Sequence, residues 1–184
     1  MARNARERLL DTAERLFYAE GIRAVGIDRI LAESGVGKAS LYRHFPTKDD
    51  LVLAVLRRRD GEWRQWLRDA VDERGAPPAR RPLAVFDALA ERFAWADFRG
   101  CAFINTIVEA ADPGSPAHAV ADEHKRRLTG YLADLLTDAG HSDPQAMAPR
   151  MTLLVDGAIV TALRERSPAA AKVAKGIAEV LLAS

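Results

Sequence analysis

The sequence predicts an all-α protein of nine to ten helices. Apolar residues recur with the helical period almost everywhere along its 184 residues, and alternation of the strand type is nearly absent. Ala and Leu, both strong helix formers, abound.

From Ala5 to Glu20, apolar residues at Leu9, Ala13, Leu16 and Phe17 mark one helix face, and Gly21 stands where a left-handed cap belongs. A short second helix is expected from Ile27 to Ser34, with Ile27, Ile30 and Leu31 as its stripe and Gly35 as its stop. After Val36, a third short helix is expected from about Lys38 to Phe45, broken by Pro46. Thr47 suits the N-cap of a long fourth helix reaching about Arg74, with Asp50 three residues on as in a capping box. Residues 75–82 (GAPPARRP) read as a loop. Further helices are expected at 83–97, 100–110, 117–139 and 144–166, with a last one opened by Ser167 and Pro168.

Composition excludes several classes. Hydrophobic residues make up 48% and charged residues 29% of the chain, which is neither disordered nor collagen-like. No continuous apolar run of ~18 residues, the length that crosses a bilayer, is visible. The opening MARNARERLLD carries charges where a signal peptide needs apolar residues, so a cytoplasmic location and no membrane partner are expected. The single Cys101 rules out an intramolecular disulfide and a cysteine-based zinc cage. No metal site, cofactor or catalytic residue is expected. Glu109, Asp156 and Cys101 carry reactive groups, but there is no phosphate-cradling loop, nucleophile elbow or metal spacing to support an enzyme.

Charge is uneven. Residues 1–48 hold nine Lys/Arg, Arg3 among them, against six Asp/Glu, a net +3, so residues 49–184 carry the balance of −2. A basic head on a mildly acidic body suits a polyanionic partner.

The informative stretch is Gly26–Lys48, GIDRILAESGVGKASLYRHFPTK. Two short helices about a glycine-containing turn, braced by a preceding amphipathic helix, form the pattern of a helix-turn-helix DNA reader. Ile30, Leu31, Val36, Leu41 and Phe45 are expected inside. Lys38, Ala39, Ser40 and Arg43 then face outward, small or tipped with hydrogen-bonding groups, as a major groove ~12 Å wide requires. Tyr42, His44, Thr47 and Lys48 flank that face with donors suited to phosphate oxygens. Arg57, Arg58 and Arg59 are read as the wet side of the fourth helix.

The stretch Gly35-Val36-Gly37-Lys38-Ala39-Ser40-Leu41-Tyr42-Arg43-His44-Phe45-Pro46-Thr47-Lys48-Asp49-Asp50-Leu51 resembles the hallmark G-V-x-K-x-x-L-Y-x-H-F-x-x-K-x-x-L of the tetracycline-repressor (TetR) family of bacterial transcription regulators. The match spans about fifty N-terminal residues, and length and helix count agree beyond it. The resemblance implies a DNA-binding domain at 1–48, joined through a long helix to an effector-binding and dimerisation domain at 49–184. It also implies a homodimer whose two third helices enter successive major grooves of a palindromic double-stranded operator. Base contacts would fall to Lys38, Ala39, Ser40 and Arg43, and phosphate contacts to Tyr42, His44, Thr47 and Lys48. A repressor released by a small-molecule effector is the expected function. Gly26 and Gly37 stand where family members often carry Ser or Thr and Ser, so both helices there lack a side-chain cap.

The body is read through the same resemblance. A cavity for an effector is assigned to Trp63, Trp66, Phe103, Asn105, Glu109 and Tyr131, with Asn105 and Glu109 four apart on one face of an apolar segment. The alternative is the same fold with a filled core, acting as an effector-independent DNA-binding dimer. Residues 151–163 (MTLLVDGAIVTAL) are apolar nearly all round and need cover on more than one side. With a stripe on the last helix they form the expected dimer interface: Met151, Leu154, Gly157, Ala158, Val173 and Ile177. Asp156 is left without an assigned partner, and Cys101 is read as a small buried hydrophobe.

Overall fold

The structure, a computed structural model, describes residues 4–110 and 112–183. Arg3, counted above in the basic head, lies outside the described residues. Among those described there are nine α-helices and no strand. They are α1 (Ala5–Glu20), α2 (Ile27–Ser34), α3 (Lys38–His44), α4 (Lys48–Asp72), α5 (Arg81–Phe93), α6 (Ala102–Ala110), α7 (Pro116–Asp138), α8 (Pro144–Glu165) and α9 (Ala169–Ala183).

The all-α expectation is met, and the ends of α1 to α4 follow from local chemistry. Asn4 caps α1 by accepting the Glu7 N–H. Gly35 ends α2 in the left-handed region, at φ 62°. Thr47 and Asp50 form a reciprocal box: Thr47 Oγ1 accepts the Asp50 N–H at 3.1 Å, and Asp50 Oδ2 accepts the Thr47 N–H at 3.0 Å.

Elsewhere the expected bounds shift. The 75–82 loop contains a 3₁₀ turn at Pro78–Arg80, and α5 begins at Arg81 because Pro82 sits in its first turn, where a missing N–H costs nothing. Helix α5 stops at Phe93, short of the expected residue 97. Helix α6 starts at Ala102, because Gly100 adopts φ 77° with the Leu163 side chain 2.9 Å from where a Cβ would stand.

The chain divides into two compact units: Met1–Gly61 with Ala102–Asp122, and Glu62–Cys101 with Glu123–Ser184. This division concerns packing; the functional division at 48/49 is a separate matter.

In the first unit, α1 packs on both α2 and α3. Leu9, Leu16, Ile30, Leu41 and Leu51 are fully buried there, each worth about 1.5–3 kcal/mol against exposure. Arg58 and Arg59 of α4 correct the reading of that triplet as a wet face. Arg58 reaches Asp11 at 2.8 Å and Glu14 at 2.6 Å, and Arg59 reaches Glu14 at 2.9 Å while lying 3.9 Å over the Tyr18 ring. Only Arg57 of the three is exposed.

In the second unit, residues of α5, α7, α8 and α9 build the core around Phe86, Leu89, Leu128, Leu132, Met151 and Val155. Asp156, unassigned from sequence, pairs with Lys125. Cys101 is partly rather than fully buried, and Trp95 is half-exposed, with the Arg92 guanidinium 4.3 Å above it. Helix α8 amends the membrane expectation: an 18-residue window of it has a mean hydropathy of 1.3, enough by length and composition to cross a bilayer. Its buried residues, Met147, Met151, Val155 and Ile159 among them, belong to this unit's core.

Candidate nucleic-acid interface

The helix-turn-helix is held from behind. Leu41 is fully buried and Phe45 nearly so, which fixes the rotation of α3 about its own axis. That rotation leaves Lys38, Ala39 and Arg43 exposed, with Ser40 half-buried at the edge. The turn before α3 is tied by a residue that sequence reasoning passed over. Ser34, buried at 6% exposure, accepts the Val36 N–H through its hydroxyl, and its carbonyl oxygen accepts the Arg8 guanidinium of α1. A small hydroxylated residue at a helix end was the available signal.

Tyr42, His44 and Thr47 are exposed beside this face, and Lys48 is half-buried. Two of these four already have structural duties. The Thr47 hydroxyl donates to Asp50 Oδ2 at 2.7 Å, so its one proton is spent inside the capping box. Lys48 Nζ donates to the Ile22 carbonyl at 2.6 Å and lies 5.9 Å from the Phe17 ring, which leaves it two of three donors. Tyr42 and His44 carry outward groups, and the His44 ring leans on Phe45 with centroids 6.3 Å apart.

A belt of ion pairs frames the head. Glu33 of α2 pairs with Arg15 of α1 and with Arg29, and Arg29 also reaches Glu20. Hydrogen bonds from Arg15 and then Arg29 hold the Glu33 carboxyl below its ordinary value.

The six residues assigned to an effector cavity are divided between the units. Trp63, Trp66 and Tyr131 belong to the second, where the Trp63 ring meets Trp66 at 6.0 Å and the buried His124 at 5.0 Å. Burial raises the Tyr131 hydroxyl above its ordinary pKa, so it stays protonated. Phe103, Asn105 and Glu109 belong to the first unit. Phe103 is buried, and Asn105 and Glu109 border a recess of about 30 Å³, room for a water molecule.

Glu109 also borders a wider cleft of about 370 Å³ within the same unit. Ile22, Val52 and Leu53 are its apolar lining; Arg23, Lys48, Asp49 and Asp112 bring charge. Apart from Glu109 and Lys48, these residues were not singled out from sequence, because they meet from separate elements.

On the second unit, α8 and α9 enclose a groove of about 370 Å³. It brings together Leu154, Gly157, Ala158, Val173 and Ile177, five of the six assigned interface residues. Met151, the sixth, is fully buried in the protomer's own core. Leu153, Val160 and Val180 stand exposed on the same two helices.

Comparison with known proteins adds to this geometry. Residues 9–55 match the family described as bacterial regulatory proteins, tetR family. A solved TetR-family transcriptional regulator of Streptomyces coelicolor is 37% identical with a TM-score of 0.87, over 97% of this chain and 94% of that one. The HTH-type transcriptional regulator YjdC of Escherichia coli is 28% identical over 96% of this chain and 93% of its own length. The HTH-type transcriptional regulator LmrA of Bacillus subtilis is 26% identical over 89% of each.

Proposed function

The chain belongs to the TetR family of bacterial transcription regulators, and from that premise we propose that it is a cytoplasmic repressor, binding a palindromic operator as a homodimer and released by a small-molecule effector. The carrying observation is the exposed face of α3, with Lys38, Ala39 and Arg43 outward over buried Leu41 and Phe45. Residues 1–48 read DNA, and residues 49–184 take the effector and join the protomers. Lys38, Ala39, Ser40 and Arg43 meet base edges; Tyr42, His44, Thr47 and Lys48 meet the backbone, Thr47 through a hydroxyl that must first leave Asp50.

The apolar groove and exposed side chains of α8 and α9 support a homodimer through that face. The cleft beside Glu109 is within the size range of small-molecule sites and supports an effector there. The packing of Trp63, Trp66 and Tyr131 against the core of the second unit favours the second reading, a filled body that needs no effector.

A gel shift with duplexes flanking the chain's own gene tests the main reading. Specific retention that falls steeply with rising salt is expected; no retention at low salt overturns it. A thermal-shift screen of small molecules separates the two readings, since uniformly flat results leave the filled body.

A further inference from the structure

We infer that Glu109 is a positioning residue for operator binding: from α6 its carboxylate latches the loop that leads into the helix-turn-helix. The inference rests on the DNA-binding reading above and adds the regulation of its geometry.

The loop between α1 and α2 spans residues 21–26; Val25 anchors its far end in the core, and the Gly21 N–H donates to the Phe17 carbonyl at its start. Gly26, the N-cap of α2, has no side chain with which to cap. Two outside groups hold adjacent residues instead. Lys48 Nζ takes the Ile22 carbonyl at 2.6 Å, and Glu109 Oε2 accepts the Arg23 N–H at 3.0 Å. A hydrogen bond to an ionised acceptor is roughly twice as strong as a neutral one.

The loop is also shaped to admit the carboxylate. Gly21 adopts φ 95°, and a Cβ there would stand 3.1 Å from both Glu109 oxygens. Glycine is required for the turn, and a Cβ there would press on the Glu109 carboxylate. The rest of α6 is mostly apolar (AFINTIVEA), so the acid is its one ionisable side chain. Helix α2 starts at the end of this loop and carries α3 behind it. Freeing Arg23 therefore loosens the pivot of the pair that faces DNA, without touching any side chain of that face.

The test uses the full chain, with Glu109→Ala and Glu109→Asp to break the latch and Glu109→Gln to keep an acceptor oxygen. The DNA probe is the duplex recovered by the wild type from a random pool, with a scrambled duplex as control. Amide exchange at Arg23 is read by NMR, and affinities by fluorescence anisotropy. In E109A the Arg23 amide should exchange at least tenfold faster. Affinity for the selected duplex should fall at least threefold, while that for the scrambled duplex stays within twofold. E109D should move the same way, and E109Q, which keeps a neutral acceptor oxygen, should fall between E109A and wild type in both readouts.

Unchanged exchange in E109A overturns the latch. Faster exchange with unchanged or tighter binding of the selected duplex overturns its role in positioning. A wild type that selects no duplex defeats the DNA-binding reading instead, and the exchange data still judge the latch.

Discussion

Lys38 and Lys48 carry the same charge on neighbouring elements, yet the structure gives them different work. Lys38 is exposed at the first turn of α3, whereas Lys48 is half-buried and donates to the Ile22 carbonyl. Lys38→Ala should leave the melting temperature unchanged and weaken DNA binding. Lys48→Ala should weaken DNA binding and also cost about 1.5–3 kcal/mol of stability, the worth of a hydrogen bond to a charged group. Differential scanning calorimetry beside anisotropy separates them; equal melting temperatures would remove the structural role of Lys48. Gly35 is the second residue whose place is set by its surroundings. It holds φ 62°, and a Cβ would stand 2.7 Å from the Arg8 guanidinium nitrogen that donates to Ser34. Gly35→Ala should therefore cost at least the ~1–2 kcal/mol of a left-handed alanine, read as a lower denaturation midpoint. Glu33 sets a pH response. Its carboxyl is held below the ordinary value of 4.5 by Arg15 and Arg29, so its contribution is present above that pH and is lost as pH falls through the depressed value. Glu33→Gln should flatten that part of the acid limb of the stability curve; an unaltered limb would count against the pairing.

At the scale of elements, α1 and α4 are bolted together by charge. Arg58, with a side chain only 21% exposed, serves Asp11 and Glu14, and Arg59 serves Glu14 again. Removing Arg58 takes from Asp11 its 2.8 Å partner and leaves Glu14 to Arg59. Arg58→Ala should cost roughly 1–3 kcal/mol, less than a fully buried pair because water still reaches the cluster. Arg57→Ala, on the exposed neighbour, should change stability by less than about 0.5 kcal/mol. Chemical denaturation of both variants checks the contrast. The sequence told these arginines apart poorly, since a run of three identical residues says nothing about which one turns toward α1. Where an element end is decided within a few residues, as at Gly35 or in the Thr47–Asp50 box, it was legible. Where the deciding contact comes from far along the chain, it was not: Gly100 reads as the start of a helix until Leu163 is placed beside it.

At the scale of the whole molecule, the same rule divides the candidate sites. The face of α3 was legible because Leu41, with Phe45 four residues on, fixes the side that turns inward within seven residues. The groove of α8 and α9 was legible in part, because residues 151–163 are apolar nearly all round and α9 carries an apolar stripe; Met151 lies in the protomer's own core instead, since periodicity does not say which apolar side turns inward. The cleft beside Glu109 was not legible, since Ile22, Val52 and Thr106 come from separate elements.

The proposed homodimer is where these pieces must work together, and it gives the strongest test. Ile177 lines the groove and is 46% exposed, so a charge there leaves the protomer's own core intact but denies a partner its apolar seat. Ile177→Asp should sediment as a monomer with an unchanged far-UV spectrum. Two linked reading heads bind a palindrome about 10²–10⁴-fold more tightly than one, through effective concentration alone. The variant should therefore lose about 100-fold or more for the full operator and almost nothing for an isolated half-site. A monomer that keeps full operator affinity would mean that the groove of α8 and α9 plays no part in pairing the heads on DNA.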